Sequence, residues 1–197
     1  MDKKTIAKTI SVVLGPHTWL PILLLVFIFK TGLNDQQIKV LLPLIFILLV
    51  LIPISYLYLA PKFKWAKEWD LPEKKERIPF FVIITISSAI TMLPVKYFGN
   101  QFLFTLIEIL FVLMLINVLI TYFWKISLHT GINTLGSILV NFLLGWELPI
   151  LYITIPIIFW ARRNLNKHTT TQLLAGIIVN ALFLVFALYL VGYMKLW

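Results

Sequence analysis

Ala161-Arg162-Arg163-Asn164-Leu165-Asn166-Lys167-His168-Thr169-Thr170-Thr171-Gln172-Leu173-Leu174-Ala175-Gly176 is a short polar break in an apolar chain. It carries two arginines, a lysine and a histidine, and it runs into an apolar segment, reaching Met194, that reads as a helix. A cationic loop feeding a helix N-terminus is a natural anion site, because unpaired backbone N–H groups and the positive end of the helix dipole face the ligand. Arginine adds a planar fork that matches phosphate oxygens. A histidine in the same place can attack phosphorus or move a proton. The same residues also suit an ordinary loop anchoring a helix at a membrane surface.

Working outward, the chain has 197 residues, of which 60% are hydrophobic and 13% charged. A soluble domain carries about 25% charged residues. The composition is that of an all-α integral membrane protein, and the length fits a single domain over 1–197. With no cysteine, disulfides, thiolate metal sites and cysteine nucleophiles are excluded. The net charge of +9 reflects cytoplasmic loop charges and attraction to anionic head groups rather than nucleic-acid binding. The N-terminal Met-Asp-Lys-Lys resembles the start of a signal peptide. The apolar run after it is interrupted at Gly15-Pro16-His17 and has no convincing small-residue cleavage site, so it reads as retained.

Hydropathy predicts a polytopic helical bundle of six or seven transmembrane helices. Residues 5–14 read as a short interfacial helix, and Trp19–Lys30 as the body of the first span. Ile38–Leu59 is a second span, kinked at Pro43 and Pro53. Ile78–Val95 and Gln101–Trp124 are the third and fourth. Ile132–Leu144 and Leu148–Trp160 are short, and turn at Gly145-Trp146-Glu147. Thr169–Met194 is the last. About thirteen helical residues reach about 20 Å, less than the ~30 Å hydrocarbon core, so either the loops joined by the short spans sit below the membrane surface or the bilayer is locally thin.

Polar breaks at 61–77, 125–131 and 161–169 are separated by two spans each, which puts them on one face. Of the 17 Lys and Arg residues, 13 lie on that face; Lys30, Lys39, Lys96 and Lys195 lie on the other. The positive-inside rule then places the polar face in the cytoplasm and the protein in the cell membrane. Trp65, Trp69, Trp124 and Trp160 read as an aromatic belt on that face. His17, at a span entrance, reads as interfacial. Glu108 stands about 10 Å into the fourth span from the opposite face, where it suits structural bonding or a proton path. Asn141 and Asn180 suit interhelical hydrogen bonds. Gly131, Gly136 and Ser137, with Ala175, Gly176 and Ala181, suit close packing of two helices.

Three motifs in order on one face resemble the type 2 phosphatidic acid phosphatase superfamily, which includes polyprenyl-diphosphate phosphatases, over roughly residues 65–185. The third motif is Arg162, five residues, His168, three residues, then position 172. Ala161 stands where the family has serine, and Gln172 where it has aspartate. The second is Ile126-Ser127-Leu128-His129-Thr130, without the family's proline and glycine. The first is Lys74-Lys75-Glu76-Arg77-Ile78-Pro79, with Asp70 in the place of the family's lysine. The resemblance implies hydrolysis of a lipid phosphate or polyprenyl diphosphate through a phosphohistidine on His168. It implies His129 as the acid for the leaving oxygen, and Gln172 in the place of the residue that orients His168. Arg77, Arg162, Lys74 or Lys75, and the backbone at Ser127 would bind phosphate. No metal or cofactor is implied, and membrane lipids are the expected surroundings. The departures at 70, 161 and 172 imply, as the alternative, a lipid-phosphate binder with little or no turnover. Glu108 and the proline-broken spans suggest a small-solute transporter as a third class. The sequence does not set the oligomeric state.

Overall fold

The computed structural model describes residues 2–194, whose regular structure is all helical, with no strand among them; Lys195 lies outside them. The helices are α1 (Lys3–Val13), α2 (Pro16–Lys30), α3 (Asp35–Ile45), α4 (Ile52–Lys62), α5 (Lys74–Phe98), α6 (Gln101–Phe123), α7 (Leu128–Leu143), α8 (Thr154–Asn164) and α9 (Thr170–Leu190). A π-helical stretch, Phe46–Leu51, joins α3 to α4, and a 3₁₀ turn, Pro149–Ile153, precedes α8. Among the described residues, five segments are long and apolar enough to cross a membrane: Lys3–Lys30, Asp35–Lys62, Lys74–Phe98, Gln101–Phe123 and Thr170–Leu190. The protein is an integral membrane protein on this evidence. The two expected short spans correspond to α7, with 16 residues, and α8, with 11.

Local chemistry accounts for the boundaries. Pro16 opens α2, where a missing N–H costs nothing. In the second segment, Ile52 N–H bonds back five residues to the Ile47 carbonyl. That wider turn lies just before Pro53, whose ring excludes the normal carbonyl four residues back. The third span begins four residues earlier than hydropathy suggests, because the Glu76 carboxylate accepts the Glu73 N–H (3.0 Å) and caps a charged first turn. Asn100 caps α6 by accepting the Leu103 N–H (2.9 Å). The break expected at 125–131 is shorter than its polarity implied. Ser127 caps α7, and His129, Thr130 and Gly131 are already helical.

The described chain falls into two compact units, Met1–Trp19 with Ile126–Trp197, and Leu20–Lys125. In the second unit, α5 and α6 form an antiparallel pair. In the first, α7 packs on α9 and α8, and α1 packs on α8. Every α7 residue from His129 to Asn141 is buried. Six of those residues have polar side chains and therefore need partners. Asn133, fully buried, accepts from Trp19 Nε1 (2.9 Å) and donates to the carbonyls of Leu14 and His129 (each 2.8 Å). Ser137 donates to the Leu151 carbonyl (3.0 Å). Asn141, expected to bridge helices, instead closes the turn after its own helix, accepting the Leu148 N–H (3.0 Å).

The small residues bring α7 and α9 together at Gly131 and Gly176, as expected. Gly136 serves another neighbour, lying under the Trp19 ring. A Cβ on Gly176 would stand 2.6 Å from the Ser127 carbonyl oxygen and against Thr130 Oγ1. Backbone cannot yield as a side-chain tip does, so Gly176→Ala should cost about 1–3 kcal/mol by overpacking. The check is the unfolding midpoint of the detergent-solubilised protein. An unchanged midpoint would contradict this helix contact.

Candidate functional site

The first unit brings Ser127 and His129 to the N-terminus of α7 and His168 and Gln172 to that of α9. Thr169 caps α9: its Oγ1 accepts the Gln172 N–H (3.3 Å), and Gln172 Oε1 accepts the Thr169 N–H (3.2 Å). This is a capping box, in which two otherwise unpaired N–H groups are satisfied reciprocally. Gln172 Oε1 also lies 3.2 Å from His168 Nδ1. An amide oxygen only accepts, so the contact selects the tautomer with hydrogen on Nδ1 and leaves Nε2 with its lone pair. Without a formal charge, the amide does less than a carboxylate to stabilise an imidazolium.

Two hydrogen bonds tie this turn to the start of α7. Ser127 N–H donates to the Gln172 carbonyl (3.2 Å), and Thr130 Oγ1 donates to the Leu173 carbonyl (3.0 Å). Ser127 Oγ in turn accepts the Thr130 N–H (3.4 Å). The Ser127–His129 turn is thereby joined to the His168–Gln172 turn, and both histidines are buried, at 3% and 4% exposure.

Arg162 lies in the last turn of α8, where the helix dipole favours a cation. It is the largest fully buried side chain, at 1% exposure. Its Nη1 donates to Ser11 Oγ on α1 (2.8 Å). α1 reaches α8 through a small face, with Ala7 and Ser11 buried while Lys3, Lys4 and Lys8 stay exposed. Ala7 packs with Ile158 and Ala161. The neighbouring Arg163 is exposed and Lys167 half-buried.

Arg77, Lys74 and Lys75 belong to the second unit. Arg77 is buried, and its Nε donates to the Leu71 carbonyl (2.8 Å). The loop before it is folded by Glu76, whose carboxylate accepts N–H groups from Lys67 (2.9 Å) and Glu73 (3.0 Å). Lys74 Nζ donates to the Tyr122 carbonyl (2.7 Å). Lys75 pairs with Glu73 at 3.3 Å, and Lys67 pairs with the same carboxylate. Hydrogen bonding from Lys67, then from Lys75, holds the Glu73 carboxyl below its ordinary value. The stabilisation from that depressed group is present above the ordinary carboxylate range and is lost as pH falls through the lowered value. Glu73 is half-buried and its partners Lys67 and Lys75 are exposed, so screening keeps the contribution small. Trp65, Trp124 and Trp160 are exposed and Trp69 is half-buried.

Sequence reasoning did not find Ser11, Asn133 or Trp19 as parts of this arrangement. The capping box was also not read from the sequence, although its Thr-x-x-Gln spacing is a local signature that could have shown it, whereas no local pattern marks Ser11 or Asn133. Among the described residues, no group of three or more His, Cys, Asp or Glu side chains is placed to hold a metal ion. Comparison with protein-family models, curated proteins and solved structures finds no match to this chain.

The His168–Gln172 contact predicts an Nδ1–H tautomer for His168 at neutral pH. Nitrogen NMR of histidine-labelled protein, assigned with His168→Ala, should show it, and Gln172→Leu should mix the tautomers. A dominant Nε2–H form in the wild type would contradict the contact.

Proposed function

We propose that this protein is a membrane phosphatase that acts on a lipid phosphate or polyprenyl diphosphate through a phosphohistidine intermediate at His168. The observation that carries the proposal is the 3.2 Å approach of His168 Nδ1 to Gln172 Oε1, which orients Nε2 as the nucleophile. In the reaction, Nε2 bonds to phosphorus as the bond to the leaving oxygen breaks, and His129 supplies that oxygen's proton. Water then breaks the phosphorus–nitrogen bond and regenerates His168. Arg162 binds equatorial phosphate oxygens and offsets the charge that develops on them, the main task of a protein in phosphoryl transfer.

The proposal includes six or seven membrane passages, counting α7 and α8 as a short pair that enters the bilayer and returns. Whether that pair crosses fully or dips and comes back, its two ends lie on one side. Ser127 and the 165–169 turn therefore share a face, which the positive-inside rule assigns to the cytoplasmic side of the cell membrane.

A second reading is a lipid-phosphate binder with little turnover, and the capping box favours it. Gln172 Oε1 is shared between the Thr169 N–H and His168. Replacing carboxylate by amide beside a catalytic histidine costs about four orders of magnitude in a serine-protease triad.

The test is inorganic phosphate release by purified protein from phosphatidic acid, phosphatidylglycerophosphate, farnesyl diphosphate and undecaprenyl diphosphate. His168→Ala should lower release by about three orders of magnitude or more. Gln172→Asp should raise it about tenfold or more. Release unaffected by His168→Ala would overturn the mechanism, and binding without release in both wild type and Gln172→Asp would favour the second reading.

A further inference from the structure

Glu108 stands in α6 and takes no part in the chemistry described above. It is the one charged residue between Gln101 and Phe123, about 10 Å along the span from the start of the helix. An acid at that depth is costly unless it faces protein and finds a bonding partner. Glu108 is half-buried, and it makes no hydrogen bond or ion pair with any described residue. On the neighbouring α5, Thr91 stands at a similar depth, but its hydroxyl donates within its own helix, to the Ser87 carbonyl at 2.7 Å. Ser88 does the same, donating to the Thr85 carbonyl at 2.8 Å. The buried face of α6 carries Leu106, Leu113 and Asn117. Helical periodicity puts Glu108 on the opposite face, in line with Val112, Leu115, Leu119 and Tyr122, all of them exposed. Steps of four, three, four and three residues make these five positions one seam. A wholly apolar seam of this kind simply faces lipid. A seam with a carboxyl in it needs protein against it.

We propose that this seam of α6 pairs with the same seam of a second copy of the chain, and that the two Glu108 carboxyls hydrogen-bond to each other across the two-fold axis. Copies inserted in one membrane share an orientation. A two-fold axis along the membrane normal therefore sets α6 parallel to its mate and brings every residue on the seam opposite its own counterpart. Glu108 meets Glu108 at the same depth, with no other charged group needed. A carboxyl pair holding one or two protons is self-complementary, because a carboxyl hydroxyl on one side donates to an oxygen on the other. The rest of the seam suits the same partner. A seven-residue repeat is the one that parallel, left-handed helix pairs use, with Val112 and Leu119 in one set of layers and Leu115 and Tyr122 in the other. The contact lies within the Leu20–Lys125 unit and is independent of the phosphatase reading.

The experiment uses the purified full chain in phosphatidylcholine vesicles. The chain has no cysteine, so a single introduced one reports proximity cleanly. Leu115→Cys and Leu119→Cys, each with Glu108 intact, should form disulfide-linked dimers on mild oxidation. Leu182→Cys, at an exposed position on α9, should not. In energy-transfer titrations against added lipid, Glu108→Leu should weaken association about threefold to thirtyfold, the usual range for one hydrogen bond between helices in a membrane. Glu108→Gln, which keeps a donor and an acceptor, should stay close to the wild type. Cross-linking at position 182 as strong as at 115 would overturn the proposal, as would Glu108→Leu association equal to that of the wild type. A wild type that stays monomeric as lipid is withdrawn would also overturn it, and would assign the seam to a different membrane protein, since only this chain is present in the vesicles.

Discussion

Asn133 is the constraint on which the first unit depends. α7 is buried along thirteen consecutive residues, so every polar group it carries needs a partner inside the protein. One carboxamide satisfies that demand three ways, binding the Trp19 indole, the Leu14 carbonyl and the His129 carbonyl. The Leu14 carbonyl ends α1, just before the Gly15-Pro16 break. The break is thus held against the helix that carries His129. With α1 so placed, Ala7 meets α8 and Ser11 meets Arg162. Replacing Asn133 by an apolar residue would leave buried backbone and indole groups unsatisfied and loosen both connections.

A second constraint is the close approach of α7 and α9. Gly176 allows the Ser127 carbonyl and the Thr130 hydroxyl to lie against its backbone. That proximity permits the bonds from Ser127 N–H to the Gln172 carbonyl and from Thr130 to the Leu173 carbonyl. The two histidine-bearing turns are therefore registered by hydrogen bonds onto the backbone carbonyls of Gln172 and Leu173. Gln172 illustrates how one residue can serve fold and chemistry together. Its oxygen closes the helix cap and meets His168. Substitutions there change helix stability as well as histidine orientation, so rates need to be read beside unfolding data.

Much of the fold was legible in the sequence. The 101–124 segment, predominantly apolar and bounded by Asn100 and Lys125, became α6 within one residue of its expected ends. Gly145-Trp146-Glu147 turned as expected, with both Gly145 and Trp146 at positive φ. Hydropathy fails where capping decides. It missed the charged first turn of α5, because Glu76 makes that turn favourable, and it read His129–Gly131 as a break although Ser127 starts a helix there. Pattern could place Arg162, His168 and Gln172 near one another along the chain. It could not find Ser11 or Asn133, because their roles arise from contacts 151 and 119 residues away. Lys74 and Lys75 read as cations ready for phosphate, while the fold directs them to the Tyr122 carbonyl and the Glu73 carboxylate.

The central claim is that His168 acts as a nucleophile on phosphorus, and trapping the intermediate tests it most directly. Purified protein would be mixed with phosphorus-labelled lipid phosphate or polyprenyl diphosphate, quenched in base within milliseconds, and the label located by peptide mapping. The account predicts a base-stable, acid-labile phosphoryl group on His168 that is absent from His168→Ala. Phosphate release without any label on His168, or label carried by another residue, would contradict it.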